Sequence, residues 1–167
     1  QTNKAGEQWS VGRDYKAIAN LACLRDGGVL TFLAATRNDK LFFDLLIQRD
    51  LQSGMEKIES IPFEAHVFAV DQAENLWFLG KDGSKVILYS KSELDGFAQV
   101  SAFSSDKRLT PYYVNTFKST ITVIVRESDI KENDDKMFPV GLKYKIYRST
   151  DLGKTWNEEK IPVDYLI

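Results

Sequence analysis

The sequence predicts an all-β protein built from about three four-stranded antiparallel meanders. Its apolar segments are short, rich in β-branched and aromatic residues, and bounded by turn-forming residues, which is typical of strands rather than helices. The same order of strands and turns recurs along the 167 residues, and a glycine precedes the last strand of each recurrence. No long amphipathic helix is expected. A β-sandwich is the alternative architecture for such a pattern.

Each predicted meander starts with three short strands and ends with a fourth that follows a glycine. The first meander comprises residues 18–24, 29–35, 41–48 and 55–60. The second comprises residues 66–70, 76–79, 85–89 and 97–103. The third comprises residues 112–117, 120–126, 143–148 and 155–161. Turns such as Asp26-Gly27-Gly28 and Asp82-Gly83 separate the strands, because these residue types favour tight bends.

Equivalent positions in the meanders are evenly spaced, which makes them a repeat. Two sets of positions show this, one in the second strands and one at the glycines: Leu30, Leu76 and Ile121, and Gly54, Gly96 and Gly153. The second-strand positions are 46 and 45 residues apart. The glycines are 42 and 57 residues apart, and the longer interval contains a polar insertion of 15 residues at 127–141. Periods of about 40–45 residues with four short strands per unit are typical of β-propeller blades.

The repeat predicts a single β-propeller domain or propeller segment over residues 1–167. The blades are expected at about 14–61, 62–104 and 105–162. Partial blade strands are expected at both ends, because the G-x-x-W of residues 6–9 matches that of residues 153–156, and residues 163–167 resemble an opening strand. Three blades are fewer than a propeller ring usually contains. The chain is therefore expected to be a piece of a larger propeller, half of a ring that a homodimer or a complementing chain completes, or an open arrangement of blades.

A turn motif closes the third meander. The letters STDLGKTW contain the pattern S-x-D-x-G-x-T-W, formed by Ser149, Asp151, Gly153, Thr155 and Trp156. This pattern resembles the Asp-box, or BNR repeat, of the hairpin between the third and fourth blade strands in sialidases, sortilin-type receptors and many non-enzymatic propellers. We expect Asp151 and Ser149 to bond the turn backbone, Gly153 to adopt a positive φ, and Trp156 to cover the hairpin. The resemblance implies a structural element at the blade periphery, and residues 49–54 and 90–96 carry degraded versions of it.

No arrangement of residues in the sequence predicts catalysis. A sialidase-like enzyme needs an arginine cluster for the substrate carboxylate, and none of the seven arginines lies in the context that such a resemblance would require. His66 has no Ser or Cys partner in a recognisable motif, so we expect it to be structural. One Cys and one His exclude a zinc cluster of thiolates or imidazoles. We expect no catalytic residue, no cofactor and no metal, and we expect Cys23 to be a small buried apolar residue.

Charge and hydropathy argue against two classes of partner. The formal charge of -2, from 22 basic and 24 acidic residues, gives no broad attraction for nucleic acid. The longest apolar runs are too short to span a bilayer, so no membrane insertion is expected. The chain begins with Gln1 rather than Met. Together with the Asp-box resemblance, this predicts a periplasmic or secreted protein whose signal peptide has been removed.

Two segments are candidate binding surfaces. The insertion at 127–141 is a long polar loop, and such loops on rigid scaffolds often carry function. Its candidate partner-binding residues are four acidic side chains and two apolar ones: Asp129, Glu132, Asp134, Asp135, Met137 and Phe138. The other candidate is the pair Tyr112 and Tyr113, which would line the axial face of a propeller. Because strand residues alternate between faces, at least one of the two tyrosines is expected in the core.

These observations predict a non-catalytic extracytoplasmic binding module that recognises a protein or a carbohydrate. A concrete form of this prediction is an inhibitor or an immunity-type protein. The first alternative is a fragment of a sialidase-like or glucan-cleaving glycoside hydrolase whose catalytic blades lie outside this sequence. The second alternative is a structural assembly scaffold.

Overall fold

The computed structural model describes residues 17–37, 40–50, 52–92, 96–128 and 143–159. These ranges form twelve strands in three four-stranded antiparallel sheets, and no helix occurs in them. Sheet I contains β1 (Ala17–Cys23), β2 (Val29–Arg37), β3 (Lys40–Gln48) and β4 (Glu56–Ile61). Sheet II contains β5 (Glu64–Val70), β6 (Leu76–Asp82), β7 (Lys85–Lys91) and β8 (Ala98–Phe103). Sheet III contains β9 (Arg108–Phe117), β10 (Thr120–Ser128), β11 (Lys143–Ser149) and β12 (Asn157–Glu159).

Each sheet is a meander, because its strands are neighbours in the order in which the chain makes them. The predicted all-β class and the predicted four-stranded antiparallel meanders are therefore confirmed. The chain divides into two compact units, Gln1–Pro62 with sheet I and Phe63–Ile167 with sheets II and III. Closure of the meanders into a propeller ring stays a prediction.

The repeat extends to irregularities inside the strands. The first strand of each sheet contains one residue more than its partner at a shift in register, which is the signature of a β-bulge. The extra residues are Ala19 in β1, His66 in β5 and Tyr112 in β9. They are 47 and 46 residues apart, which matches the period of the second strands. The bulge is thus a third repeated feature, and the residue pattern alone did not indicate it.

In the first unit, the two central strands of sheet I supply the buried apolar side chains. Phe32 of β2 stacks on Phe43 of β3 with ring centroids 5.7 Å apart, and Leu45 of β3, which pairs with Phe32 across the strands, is buried as well. The first strand, β1, lies at an edge of the sheet, where a side chain has a strand on one side only. Cys23, the last residue of β1, is exposed. The prediction of a buried Cys23 was wrong because an apolar neighbourhood in sequence does not reveal an edge position.

In the second unit, sheets II and III share one apolar core. Sheet II contributes residues of β6 and β7, including Leu79 and Leu88, and sheet III contributes Ile121, Val123 and Val125 of β10. Every second residue of β10 points to the same face of the sheet, so Ile121, Val123 and Val125 all lie on the core side. Each such side chain contributes about 1.5–3 kcal/mol when it leaves water. β9 also packs against β5, β6 and β7, so sheet III lies face to face with sheet II.

The polar segment predicted as an insertion begins later than expected. Glu127 and Ser128 belong to β10, where they pair with Leu109 and Arg108 of β9, and both are buried. β11 begins at Lys143. In the described part of the chain, no helix has the length and apolar character needed to cross a membrane.

Candidate functional site

Residues 149–156 form a turn centred on the buried Ser149, which is 1% exposed. The Ser149 hydroxyl accepts hydrogen bonds from the backbone N–H of Gly153 at 2.7 Å and of Asp151 at 3.3 Å. It donates its own proton to Oδ1 of Asp151 at 2.8 Å. A hydroxyl has one donor and two acceptor positions, so Ser149 uses its full capacity inside the turn.

Asp151 joins the two ends of the same turn. Its Oδ1 accepts the Thr155 backbone N–H at 2.9 Å, and its Oδ2 accepts the Thr155 hydroxyl at 2.7 Å. These bonds stabilise the ionised carboxylate. They lower the pKa of Asp151 to about 2, with the Thr155 hydroxyl as the largest cause, followed by the Thr155 backbone and the Ser149 hydroxyl. At neutral pH the Asp151 side chain is therefore ionised, and both of its oxygens are hydrogen-bonded within the turn.

The other side of the hairpin contacts sheet II. Gly153 has φ +88°, and a Cβ added to it would lie 2.5 Å from Cγ1 of Val100. Trp156 donates its indole N–H to the Gly153 carbonyl at 3.0 Å. The Trp156 ring meets the Phe103 ring edge to face, with centroids 5.1 Å apart. Because Val100 and Phe103 belong to β8, the hairpin of sheet III is packed directly on the last strand of sheet II.

A second aspartate turn lies between β5 and β6. Oδ1 of Asp71 accepts the backbone N–H groups of Ala73 and Asn75 at 2.8 and 2.9 Å. Oδ2 accepts the Asn75 side-chain amide at 2.9 Å and the Trp77 indole N–H at 3.0 Å. Partial burial raises the pKa of Asp71, but the bonds from Asn75 and Trp77 outweigh it and the pKa is lowered. The sequence signal for such a turn is an aspartate followed within a few residues by a tryptophan, as in Asp151 to Trp156.

The candidate tyrosines Tyr112 and Tyr113 are both exposed, by 51% and 44%. The prediction that at least one of them is in the core was wrong, because the bulge at Tyr112 interrupts the alternation of β9. The Tyr112 ring lies edge to face against Tyr144 of β11, with centroids 4.9 Å apart. Phe117 follows Tyr113 by four residues in β9 and is 62% exposed. We call Tyr112, Tyr113, Phe117 and Tyr144 the tyrosine face.

The tyrosine face lies on the side of sheet III that is opposite to the shared core. Tyr113 is paired with Ile124 of β10, which is paired with Ile146 of β11, so these three residues form one row across the sheet. Ile124 is half-buried, in contrast to Val123 and Val125, which point to the core and are fully buried. The outer side of sheet III therefore has an apolar centre that is only partly covered.

An ion pair between a buried carboxylate and a partly exposed lysine lies at the end of β10. Oε1 of Glu127 accepts a hydrogen bond from the Ser105 hydroxyl and pairs with Nζ of Lys145 at 3.0 Å. The Ser105 hydroxyl, and after it Lys145, lower the pKa of Glu127, while the bond to Glu127 raises the pKa of Lys145. Lys145, near the start of β11, and Ser105, before β9, are thus both bonded to Glu127 at the end of β10. Sequence reasoning placed Glu127 in a polar insertion and so missed this cluster.

The other candidate residues are the six residues of the predicted loop and His66. The six loop residues Asp129, Glu132, Asp134, Asp135, Met137 and Phe138 lie outside the described residues. His66 Nε2 is 2.9 Å from Oε1 of Glu64, and both side chains are partly exposed. Over the ranges that the structure describes, no group of three or more His, Cys, Asp or Glu side chains is placed to hold a metal ion.

Comparison with known proteins adds no family to this description. No protein-family model matches the chain, and no curated protein is significantly similar to it. The fold defines an all-β protein of antiparallel meanders, and the resemblance to Asp-box propellers stays a prediction from the motif.

Proposed function

We propose that this chain is a non-catalytic binding module that recognises a protein through the tyrosine face. The supporting observation is the contrast between the two sides of sheet III. On the inner side, Ile121, Val123 and Val125 are fully buried. On the outer side, Tyr112, Tyr113 and Phe117 are between 44% and 62% exposed. Clusters of exposed apolar side chains on a protein surface mark interaction sites.

The chemistry of these side chains suits the centre of a protein interface. Aromatic residues supply a large apolar area with few rotatable bonds, and the tyrosine hydroxyl adds a polar contact. The Tyr112 ring already rests against Tyr144, which limits its freedom before any partner binds. Less side-chain entropy is then lost on binding than for an isolated exposed ring.

Two basic side chains lie beside the tyrosine face. Arg126 pairs in the sheet with Tyr144 and so points to the same side. Nζ of Lys118 lies 5.5 Å from the centre of the Phe117 ring. The expected partner is therefore a protein surface with an apolar centre and acidic residues around it. The Asp-box resemblance supports a periplasmic or secreted setting, in which an inhibitor or an immunity-type protein is the concrete form of the proposal.

The test uses the intact chain, immobilised and exposed to periplasmic or secreted protein from its own source. Two variants are compared with the wild type: Tyr112→Ala with Tyr113→Ala, and the control Lys85→Ala, whose exposed side chain lies in sheet II. Interface aromatic residues often contribute about 2 kcal/mol each, so the double variant is expected to weaken capture of a specific partner roughly 100-fold or more. The control is expected to bind as the wild type does.

The outcomes separate the competing functions. Unchanged capture by the double variant would refute the proposal. Capture of a glycan alone would favour a carbohydrate-binding module. A mass that rises with protein concentration and is reduced by the double variant would favour the assembly scaffold. Glycoside hydrolysis by this chain would favour the hydrolase alternative.

A further inference from the structure

A groove of about 570 Å³ lies at one end of sheet II, away from the residues of the tyrosine face. Its walls come from the beginning of β6, the end of β7 and the beginning of β8. Trp77, Ser90 and Ala98 form its central row, because Ser90 of β7 pairs with Trp77 of β6 on one side and with Ala98 of β8 on the other. The volume is in the range of sites that hold small organic ligands.

The aspartate turn fixes one wall of the groove. Asp71 holds the Asn75 amide at 2.9 Å and the Trp77 indole N–H at 3.0 Å, so both side chains that line the groove are positioned before any ligand arrives. At the opposite wall, a Cβ added to Gly96 would have no atom within 4 Å. The wall formed by Asn75 and Trp77 is therefore rigid.

Two polar groups in the groove retain bonding capacity within the described part of the chain. The Asn75 amide uses one N–H on Asp71, which leaves its carbonyl oxygen as an acceptor. The Ser90 hydroxyl takes no hydrogen bond from the described residues, and a hydroxyl can both donate and accept. The lining cation, Lys91, keeps its charge above the Phe97 ring, with its Nζ 5.2 Å from the ring centre. The uncharged bonding positions in the groove are thus those of Asn75 and Ser90.

We propose that this groove binds a hydroxyl-rich ligand of the size of a monosaccharide or disaccharide. A ligand hydroxyl donates to the Asn75 carbonyl oxygen, and a second exchanges a hydrogen bond with Ser90. The apolar C–H side of the ring packs against the small part of Trp77 that lines the groove, since most of that side chain is buried in the core. This site is separate from the tyrosine face, and the inference does not depend on the function proposed for that face.

The test is a titration of the ¹⁵N-labelled full chain, followed by the amide and indole N–H resonances. The probes are methyl glucoside, methyl galactoside, methyl mannoside, N-acetylglucosamine, maltose, cellobiose and lactose, each raised to about 50 mM because weak sites bind in the millimolar range. The chain has three tryptophans, so its indole resonances are separable. With at least one probe, the Trp77 indole and the Asn75 side-chain amide are expected to shift saturably, while the Trp156 indole stays in place.

Two variants on β8 decide whether such shifts come from the groove. Ala98→Leu fills the central row, and Ala102→Leu adds the same atoms at a position of the same strand that is also exposed but does not line the groove. Ala98→Leu is expected to weaken binding at least tenfold, and Ala102→Leu is expected to leave it unchanged. The proposal is overturned if no probe moves the Trp77 and Asn75 resonances, or if Ala98→Leu binds as tightly as the wild type.

Discussion

Replacing Gly153 by alanine tests how the hairpin between β11 and β12 joins sheets II and III. Two costs are expected. The φ of +88° puts an alanine in the left-handed region, which costs about 1–2 kcal/mol. The added Cβ would also lie 2.5 Å from Cγ1 of Val100, and overpacking of this kind costs about 1–3 kcal/mol. Gly153→Ala is therefore expected to lower the free energy of unfolding by about 2–5 kcal/mol.

Gly83 provides a matched control for the backbone part of this cost. It also has a positive φ, +56°, but an added Cβ there would meet no atom within 4 Å. Gly83→Ala is expected to cost only the backbone part, about 1–2 kcal/mol. The difference between the two variants then measures the contact with Val100.

The contact can be measured again in a double-mutant cycle. Combining Gly153→Ala with Val100→Ala removes the colliding methyl group, so the double variant is expected to be more stable than the sum of the single effects predicts, by about 1 kcal/mol or more. The assay is urea unfolding followed by tryptophan fluorescence, because Trp77 and Trp156 lie in or against the core that sheets II and III share. Additive single effects, or equal costs for Gly153→Ala and Gly83→Ala, would refute the proposed packing.

Four further predictions concern ionised and buried polar groups. Lys145→Met is expected to lower the free energy of unfolding by about 1–2 kcal/mol in urea titrations, because the buried Glu127 carboxylate loses a cation that is itself partly exposed; adding Glu127→Met should recover most of the loss, and no recovery would contradict the pairing. Because the pKa of Glu127 is lowered in the folded state, its contribution is present above the unfolded value of about 4.5 and is lost as the pH falls through the folded pKa. The stabilities of wild type and Glu127→Gln should therefore converge in acid, and a constant difference would argue against a lowered pKa. An NMR titration of Asp151 is expected to give a pKa of about 2, and a value near the ordinary 3.8 would mean that the bonds from Thr155 do not persist in solution. Thr31 is 1% exposed, and among the described residues its hydroxyl is the buried side-chain group without a hydrogen-bond partner. Thr31→Val should thus raise the stability by about 1 kcal/mol, and a loss of stability would show that the hydroxyl is satisfied.

The fold class was predictable because strands and turns in this chain have clear local signals. Turns such as Asp26-Gly27-Gly28 and Asp82-Gly83 separate β-branched segments, and the even spacing of Leu30, Leu76 and Ile121 predicts equal meanders. Both signals depend on residues that are close in sequence or on a repeated period. The structure accordingly places all three positions in the second strand of a sheet.

The candidate site was less predictable, because its details depend on single-residue shifts and on long-range contacts. The bulge at Tyr112 changes which residues face the solvent, yet it leaves no trace in the pattern of apolar residues. From the sequence alone, Glu127 is expected at the surface. Only the fold brings Ser105, which is 22 positions earlier, and Lys145 into contact with it. The edge position of β1, which exposes Cys23, likewise follows from the pairing of strands. In each case the deciding neighbour is distant in sequence.

Photo-crosslinking in the cells that make the chain shows whether a partner binds at the tyrosine face. A photoreactive phenylalanine analogue replaces Tyr113, Phe117 or the control Lys85, one position at a time. Positions 113 and 117 are expected to give the same protein adduct, and position 85 is expected to give none. An adduct from position 85 alone, or no adduct from either position on the tyrosine face, would show that the partner binds elsewhere.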